Sequence, residues 1–459
     1  MNNNKFLLLL LGPVMAAVAF VLLRVNHWEM IACWTGAIAT LTAVWWITEP
    51  IPLPATSLIP LALLPVFGVL TPAQVGQAYG SSLVLLLMGG FILSTAMERS
   101  GAHRRVALTM VNLFGGTSSR RLVFGFMAAS ALLSMWISNT ATTLMLLPVA
   151  AAVLERSDDK DLPKPLLLGI AYAASVGGIG TPIGTPPNLV FREIYKINVG
   201  HSVQFLTWME WGIPVVLIFV PLIGLWITRH LRFTGQIDMP HVGPWRTYEK
   251  RVFIVFSITA LAWITRGQPF GGWSHWLGVP HANDASVALV AVVVMFLIPN
   301  GEDGHKLLDW ESAAKIPWGM LILFGGGIAI AEAFVQSGLS ASLGHALAGI
   351  ATWPIVLTVA IICLTLTFLT EITSNTATTT LMMPILAATA LATHIEPALL
   401  MVPAAMSASC AFMLPVATAP NTIVFSTGHF TVSQMAREGF VLNLIGVVVI
   451  STVCLVLLS

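Results

Sequence analysis

Trp136-Ile137-Ser138-Asn139-Thr140-Ala141-Thr142-Thr143-Leu144 lies inside a long apolar segment, and Ile372-Thr373-Ser374-Asn375-Thr376-Ala377-Thr378-Thr379-Thr380 repeats it, with 374 − 138 = 236. Polar side chains are costly in apolar surroundings unless they find partners. A Ser-Asn-Thr triplet placed twice in such a setting predicts two facing halves of one binding site within a membrane.

The composition around these stretches decides the class. Charged residues make up 9% of the chain and hydrophobic residues 56%, with a mean hydropathy of +0.86. A soluble domain carries roughly 25% charged residues, so an all-α polytopic membrane protein is expected. The net charge of +1 argues against a nucleic-acid partner. Cys33, Cys363, Cys410 and Cys454 all lie in apolar stretches without a CxxC pair. They read as small hydrophobes, with no disulfide or metal implied. Lys5 before an apolar run and Ala17-Val18-Ala19 mimic a signal peptide. The run continues to Leu23, long enough to span, so 6–23 reads as the first transmembrane helix.

Further spans are expected at 30–48, 52–70, 80–98, 165–190, 210–228, 252–266, 285–299, 316–336, 398–424 and 440–458. Two more apolar stretches, 121–154 and 353–393, are each long enough for two short arms with the triplet at the bend. The reading is about eleven helices plus two re-entrant hairpins. Arg99, Arg104, Arg105, Arg120 and Arg121 mark one basic loop, and Arg229, Arg232, Arg246, Lys250 and Arg251 a second. Both belong on the cytoplasmic side by the positive-inside rule. With a cytoplasmic N-terminus, in what reads as a bacterial inner membrane protein, this requires an even number of crossings in 121–154. The shortness of its arms favours a hairpin.

The second half of the chain repeats the first. Gly90 and Gly326 are separated by 326 − 90 = 236, like the triplets. Gly184-Thr185-Pro186-Pro187-Asn188 resembles Ala417-Thr418-Ala419-Pro420-Asn421, with 421 − 188 = 233. The expected organisation is an N-terminal helix in 1–29, a first repeat in 30–228, a basic connector in 229–251 and a second repeat in 252–459. Five spans per repeat, an odd number, invert the second relative to the first. Inverted repeats with interrupted helices at matching positions point to a secondary transporter, its site near mid-membrane.

The triplets admit two readings. Ser, Asn and Thr satisfy free N–H groups where a helix begins, at Ala141–Val153 and Ala377–Leu391, as ordinary N-caps. Alternatively the exposed helix start is an anion site, and the carbonyls ending the preceding arm suit a hard cation. Depth in the membrane favours the second, because irregular backbone is tolerated there only when buried in protein or lining a cavity. Pro182, Pro186 and Pro187 fall within six residues beside Gly178, Gly180 and Gly184, and must break their helix. The copy around Pro415–Pro420 should do the same. Unwound segments are therefore expected near 181–188 and 415–421.

No Lys or Arg lies in the four motifs, and no Asp or Glu lies in the triplets or breaks. An anion would be held by helix starts, amides, hydroxyls and a co-bound cation, and neutral oxygens suit sodium better than a proton relay. Glu371 beside the second tip reads as a hydrogen-bond acceptor orienting the hairpin, with a proton site as the alternative. Glu49, in Thr48-Glu49-Pro50-Ile51-Pro52, reads as structural. The chain has no HExxH, GxSxG or Walker A lysine motif, so neither hydrolysis nor ATP-driven pumping has support.

The paired triplets, the two Pro-Asn breaks and the Thr48–Pro52 segment resemble the divalent anion/sodium symporter family, over nearly the whole chain. The resemblance implies homodimers with a scaffold domain and a transport domain that slides across the membrane, elevator fashion. It implies a first sodium site at Ser134, Ser138, Asn139 and Gly184, and a second at Thr370, Thr373, Asn375 and Ala417. Substrate carboxylates would meet Asn139, Thr140, Thr185, Asn375, Thr376 and Thr418. Ala419 departs from the family's proline and leaves that backbone less constrained. The implied function is sodium-coupled symport of C4-dicarboxylates such as succinate, malate or fumarate. A sodium-independent dicarboxylate exchanger, or a citrate or sulfate carrier on the same fold, stays open. A channel or membrane receptor fits inverted tips less well, and no nucleophile–base pair supports an enzyme.

Overall fold

The computed structural model describes residues 3–114, 118–157, 159–231, 243–268, 270–302, 304–346 and 353–458. The centre of the expected connector, 232–242, lies outside the described residues, as do 1–2 and 459 at the ends of the chain. The described residues are helical, with a single isolated bridge between Pro299 and Lys306 and no strand.

Among the described residues six helices are long and apolar enough to cross a membrane, and five further apolar helical stretches have 10–17 residues. The short ones include arms of both interrupted regions, as bends in the middle of an apolar stretch require. The chain is an integral membrane protein. Its first helix, Asn3–Val25, packs on Met30–Thr48 and otherwise shows apolar side chains outward, as a lipid-facing helix does.

Several spans differ in detail from the sequence reading. The stretch 52–70 is two pieces, Leu53–Thr56 and Leu58–Val66. The hinge between them is held by Ser57, whose hydroxyl accepts from Trp46 Nε1 at 2.9 Å and donates to the Leu53 carbonyl at 2.8 Å. The basic loop expected after residue 98 contains a helix, Ala102–Phe114, with a charged face and an apolar face. Leu339–Ala346 occupies the corresponding place in the second half.

The repetition is visible in the elements. Ser82–Ser100 and Trp318–Gln336 are matched end for end, 318 − 82 = 236 and 336 − 100 = 236. Each 121–154 and 353–393 stretch is a helix–turn–helix hairpin: Ser119–Ser134 with Asn139–Leu154, and Ile355–Leu369 with Asn375–Ala392. The helix after each hairpin is interrupted. Pro163–Gly177 passes through a tight 3-10 turn and extended residues to Pro186–Val199, and Pro397–Ser407 passes through residues 408–418 to Ala419–Phe425.

The breaks are packed from behind by two glycines. A Cβ on Gly212, in Phe205–Ile227, would lie 2.5 Å from the Ile179 carbonyl oxygen, and one on Gly439, in Val432–Leu458, 2.2 Å from that of Phe412. Only a residue without a side chain lets a helix approach an unwound segment so closely. The same two carbonyls accept from Trp208 Nε1 and Tyr172 Oη, each at 2.8 Å, so backbone freed by the breaks is satisfied within the protein. The halves also interlock. Pro186–Val199, which leaves the first break, packs on Asn375–Ala392 of the second hairpin, and Ala419–Phe425 packs on Asn139–Leu154 of the first.

Candidate functional site

Both hairpin tips and both breaks line one cavity of about 870 Å³. All six residues expected to meet substrate, Asn139, Thr140, Thr185, Asn375, Thr376 and Thr418, are on its wall. So are Ser138, Gly184, Thr373 and Ala417, while Ser134 and Thr370 sit behind the wall, fully buried. The charged side chains on the wall are Glu49 and Glu371; no Lys or Arg is among the described lining residues. The helices beginning at Asn139, Pro186 and Asn375 start at this cavity, so three helix N-termini supply positive field where no cationic side chain does.

Each tip is built by the same short-range bonds. Ser134 Oγ donates to Asn139 Oδ1 at 2.6 Å, and Thr370 Oγ1 donates to Asn375 Oδ1 at 2.5 Å. Thr143 and Thr379, one turn on, donate to the backbone carbonyls of the same asparagines at 2.9 and 2.7 Å. An oxygen pair, hydroxyl and amide carbonyl, is thus fixed at each helix start, and the asparagine's N–H groups are left for the cavity. Both helices begin at the asparagine itself, two residues before the starts at Ala141 and Ala377 expected from sequence. Ser138 caps its helix by accepting from Ala141 N at 3.1 Å, whereas the Ser374 side chain makes no such bond.

Each break is braced by its asparagine. Asn188 Nδ2 donates to the carbonyls of Gly178 and Thr181 at 3.0 and 2.8 Å, and Asn421 Nδ2 to those of Ala411 and Leu414 at 3.0 and 3.1 Å. The two sets are related by one offset: 421 − 188, 411 − 178 and 414 − 181 all equal 233. Both carbonyl ends, Asn188 Oδ1 and Asn421 Oδ1, are buried without a hydrogen-bond partner among the described residues. The repeated Pro-Asn pair was the signal in the sequence, but the bracing role was not assigned there. Ser409, also not singled out there, donates to Thr185 Oγ1 at 3.5 Å and joins one break to the other.

At the first tip the tight packing has a direct consequence. A Cβ on Gly178 would fall 2.9 Å from Asn139 Oδ1 and 3.0 Å from the Gly184 carbonyl oxygen. The bare glycine is what lets these two oxygens converge. At the second tip Thr373 Oγ1 donates to the Leu369 carbonyl at 2.8 Å and lies 2.5 Å from Thr378 Oγ1. Glu371 stands just before it. Its Oε1 accepts from Phe412 N, Met413 N and Asn443 Nδ2 at 2.7, 2.9 and 2.8 Å, and its Oε2 from Leu414 N at 3.1 Å. Four donors hold this buried carboxylate in one orientation. Glu371 therefore ties the second tip to the second break and to the last helix, as the sequence reading of a hairpin-orienting acceptor anticipated. Among the described residues no three His, Cys, Asp or Glu come together as a transition-metal site.

The citrate transporter family model, CitMHS, matches residues 43–402. The sodium-dependent dicarboxylate transporter SdcS of Staphylococcus saprophyticus is 40% identical, the match covering 98% of this chain and 90% of the relative. SdcS of Staphylococcus aureus strain MRSA252 is 38% identical over the same shares. The crystal structure of the Alcanivorax borkumensis YdaH transporter superposes with a TM-score of 0.56 at 16% identity, covering 85% of this chain and 87% of that one, a likeness of fold.

Proposed function

This chain belongs to the CitMHS citrate transporter family, the divalent anion/sodium symporters its motifs resemble, and from that premise we propose that it is a sodium-coupled symporter of C4-dicarboxylates. The observation that carries the reading is the shared cavity, where two Asn-Thr helix starts and two unwound segments meet without a cationic side chain. A dianion there needs positive charge from helix starts and from co-bound cations. The oxygens offered beside each asparagine are neutral and hard, which suits sodium.

In this reading one sodium ion is held by Ser134, Ser138, Asn139 and Gly184, and a second by Thr370, Thr373, Asn375 and Ala417. The substrate carboxylates are held by Asn139, Thr140 and Thr185 on one side and Asn375, Thr376 and Thr418 on the other. Each ion lowers the electrostatic cost of placing a dianion in an apolar interior, and the dianion raises affinity for the ions by the same factor. Coupling is then built into binding. The two hairpins and two interrupted helices form a transport domain that slides against a scaffold domain. The carrier works as a homodimer in the bacterial inner membrane, with its N-terminus and the connector 229–251 on the cytoplasmic side.

Succinate uptake into proteoliposomes containing the purified protein tests this. Uptake is expected to require an inward sodium gradient. Equal uptake with potassium alone overturns the coupling, and counterflow without sodium that needs substrate on both sides identifies an exchanger instead.

A further inference from the structure

Away from the cavity, one buried carboxylate joins two guanidinium groups from separate parts of the fold. Asp284 Oδ2 accepts from Arg192 Nη2 at 2.7 Å, and Asp284 Oδ1 from Arg266 Nε at 2.8 Å. Arg192 is 7% exposed and Asp284 5%. Arg192 belongs to Pro186–Val199, the helix that begins at the substrate cavity and leaves the first break. Asp284 begins Asp284–Leu297, and Arg266 follows Thr247–Ile264; these two helices pack on each other and on Ser82–Ser100. The network thus ties the site-bearing unit to the helices around it.

Its position along the molecule is informative. Ser82 lies beside Arg192 and Arg266 on a separate small cavity of about 200 Å³. The same helix runs from there past Leu87, Gly90 and Ser94, which line the large cavity, to Arg99, which pairs with Asp309. The large cavity extends to exposed Glu49 and to Pro317, which follows Asp309 closely in the chain. The exposed lining residues Glu49 and Pro317 mark the cavity mouth, and the charge network sits at the other end of Ser82–Ser100.

Its bonding is also incomplete. Arg192 Nε donates to the Val203 carbonyl at 3.0 Å, but Nη1 is buried with no hydrogen-bond partner among the described residues. A buried pair with an unsatisfied donor is poor permanent glue, because the desolvation of both charges is not fully offset. It suits a contact that is made in one state and released in another.

We propose that Asp284 anchors a charge latch that keeps the side opposite the cavity mouth closed, and that each transport cycle requires Arg192 to leave it. This rests on the reading of the protein as a carrier whose site-bearing unit slides against a frame. Arg266 stays with Asp284 throughout and keeps the carboxylate from being left alone when Arg192 departs. The latch thereby sets the resting population of the two states without touching substrate.

The test bridges the latch covalently. In full-length protein carrying Arg192→Cys and Asp284→Cys, a reducible bifunctional thiol reagent is expected to lower succinate uptake by about tenfold or more, with recovery on reduction. Uptake at the unbridged rate while bridged overturns the latch. Sodium dependence is read in the unbridged protein, so failure of the carrier reading shows there and failure of the latch shows in the bridged-to-unbridged ratio. A second measurement needs no transport. Ile372, exposed on the cavity wall, is replaced by Cys and labelled with a membrane-impermeant maleimide from the mouth side. Adding Asp284→Asn is expected to slow labelling about threefold or more as the alternate state fills; an unchanged rate overturns the proposal.

Discussion

The two tips share a backbone plan and differ in what surrounds it. The first is packed against aromatic rings and has no ionisable side chain. Trp136 stacks on Phe205 and meets Phe256 edge-on, and Gly178 and Gly184 let the break close on Asn139. The second lacks that aromatic packing and carries a carboxyl group. Ile372 takes the place of Trp136 and is 71% exposed, Val416 is 82% exposed, and alanines at 411 and 417 replace the glycines. Glu371 takes the place of Met135 (371 − 135 = 236) and holds three consecutive N–H groups of its break. In the first repeat the tie is a hydroxyl: Thr181 Oγ1 donates to the Met135 carbonyl. A duplicated site thus need not be two equal sites. One copy is fixed by close packing, the other by a buried carboxyl group.

The widest break in this comparison comes from removing what the tips share. Asn139→Ala and Asn375→Ala should each lower sodium-driven succinate uptake by about tenfold to a hundredfold, as loss of a charge-assisted contact predicts, and raise the half-saturating sodium concentration. Normal sodium dependence in a less stable protein would reduce both asparagines to capping residues. Glu371→Gln probes the second tip alone. An amide keeps one acceptor and replaces the other with a donor facing N–H groups, so the folded protein should lose about 1–3 kcal/mol, seen as a lower unfolding midpoint in detergent. The same midpoint as wild type would show that the carboxyl group does not hold the second break.

Gly178→Ala probes the packed tip. The new methyl crowds Asn139 Oδ1 and the Gly184 carbonyl, so half-saturating sodium should rise by roughly five- to tenfold while Ala411→Gly, at the matching place, changes it little. Equal effects at both positions would remove the asymmetry. The smallest difference concerns the caps. Ser138→Ala should cost about 1 kcal/mol of stability and Ser374→Ala close to none, because only Ser138 bonds its helix start. Melting curves taken without sodium or substrate separate this from ligand binding.

Much of this plan could be read from the chain because polar residues and prolines are conspicuous in apolar segments. The triplets, the Gly-Thr-Pro-Pro-Asn break and the offset of 236 located the hairpins and the cavity wall. What escaped has a common physical cause: it depends on partners far apart in sequence or on backbone. Asp284 is 92 residues from Arg192, and no periodicity links them. The partners of Glu371 are mainly N–H groups, which every residue except proline carries. Ala102–Phe114 reads as loop in the sequence because His103, Arg104 and Arg105 lower its hydropathy, although its spacing of apolar residues is helical. The split of 52–70 turns on Ser57, whose hydroxyl draws in Trp46 from the preceding helix.

The crossing of the helices that leave the two breaks bears on biogenesis. Asn139–Leu154 is covered by Ala419–Phe425, and Asn375–Ala392 by Pro186–Val199. A ribosome delivering this chain therefore inserts the first tip, with its serines, threonines and asparagine, some 280 residues before the segment that covers it (419 − 139 = 280). Until that segment emerges, the nascent first half carries uncovered polar groups at membrane depth. Neither half is a complete unit for the insertion machinery, and a chain truncated before residue 419 would present the quality-control proteases of its membrane with an unfinished site.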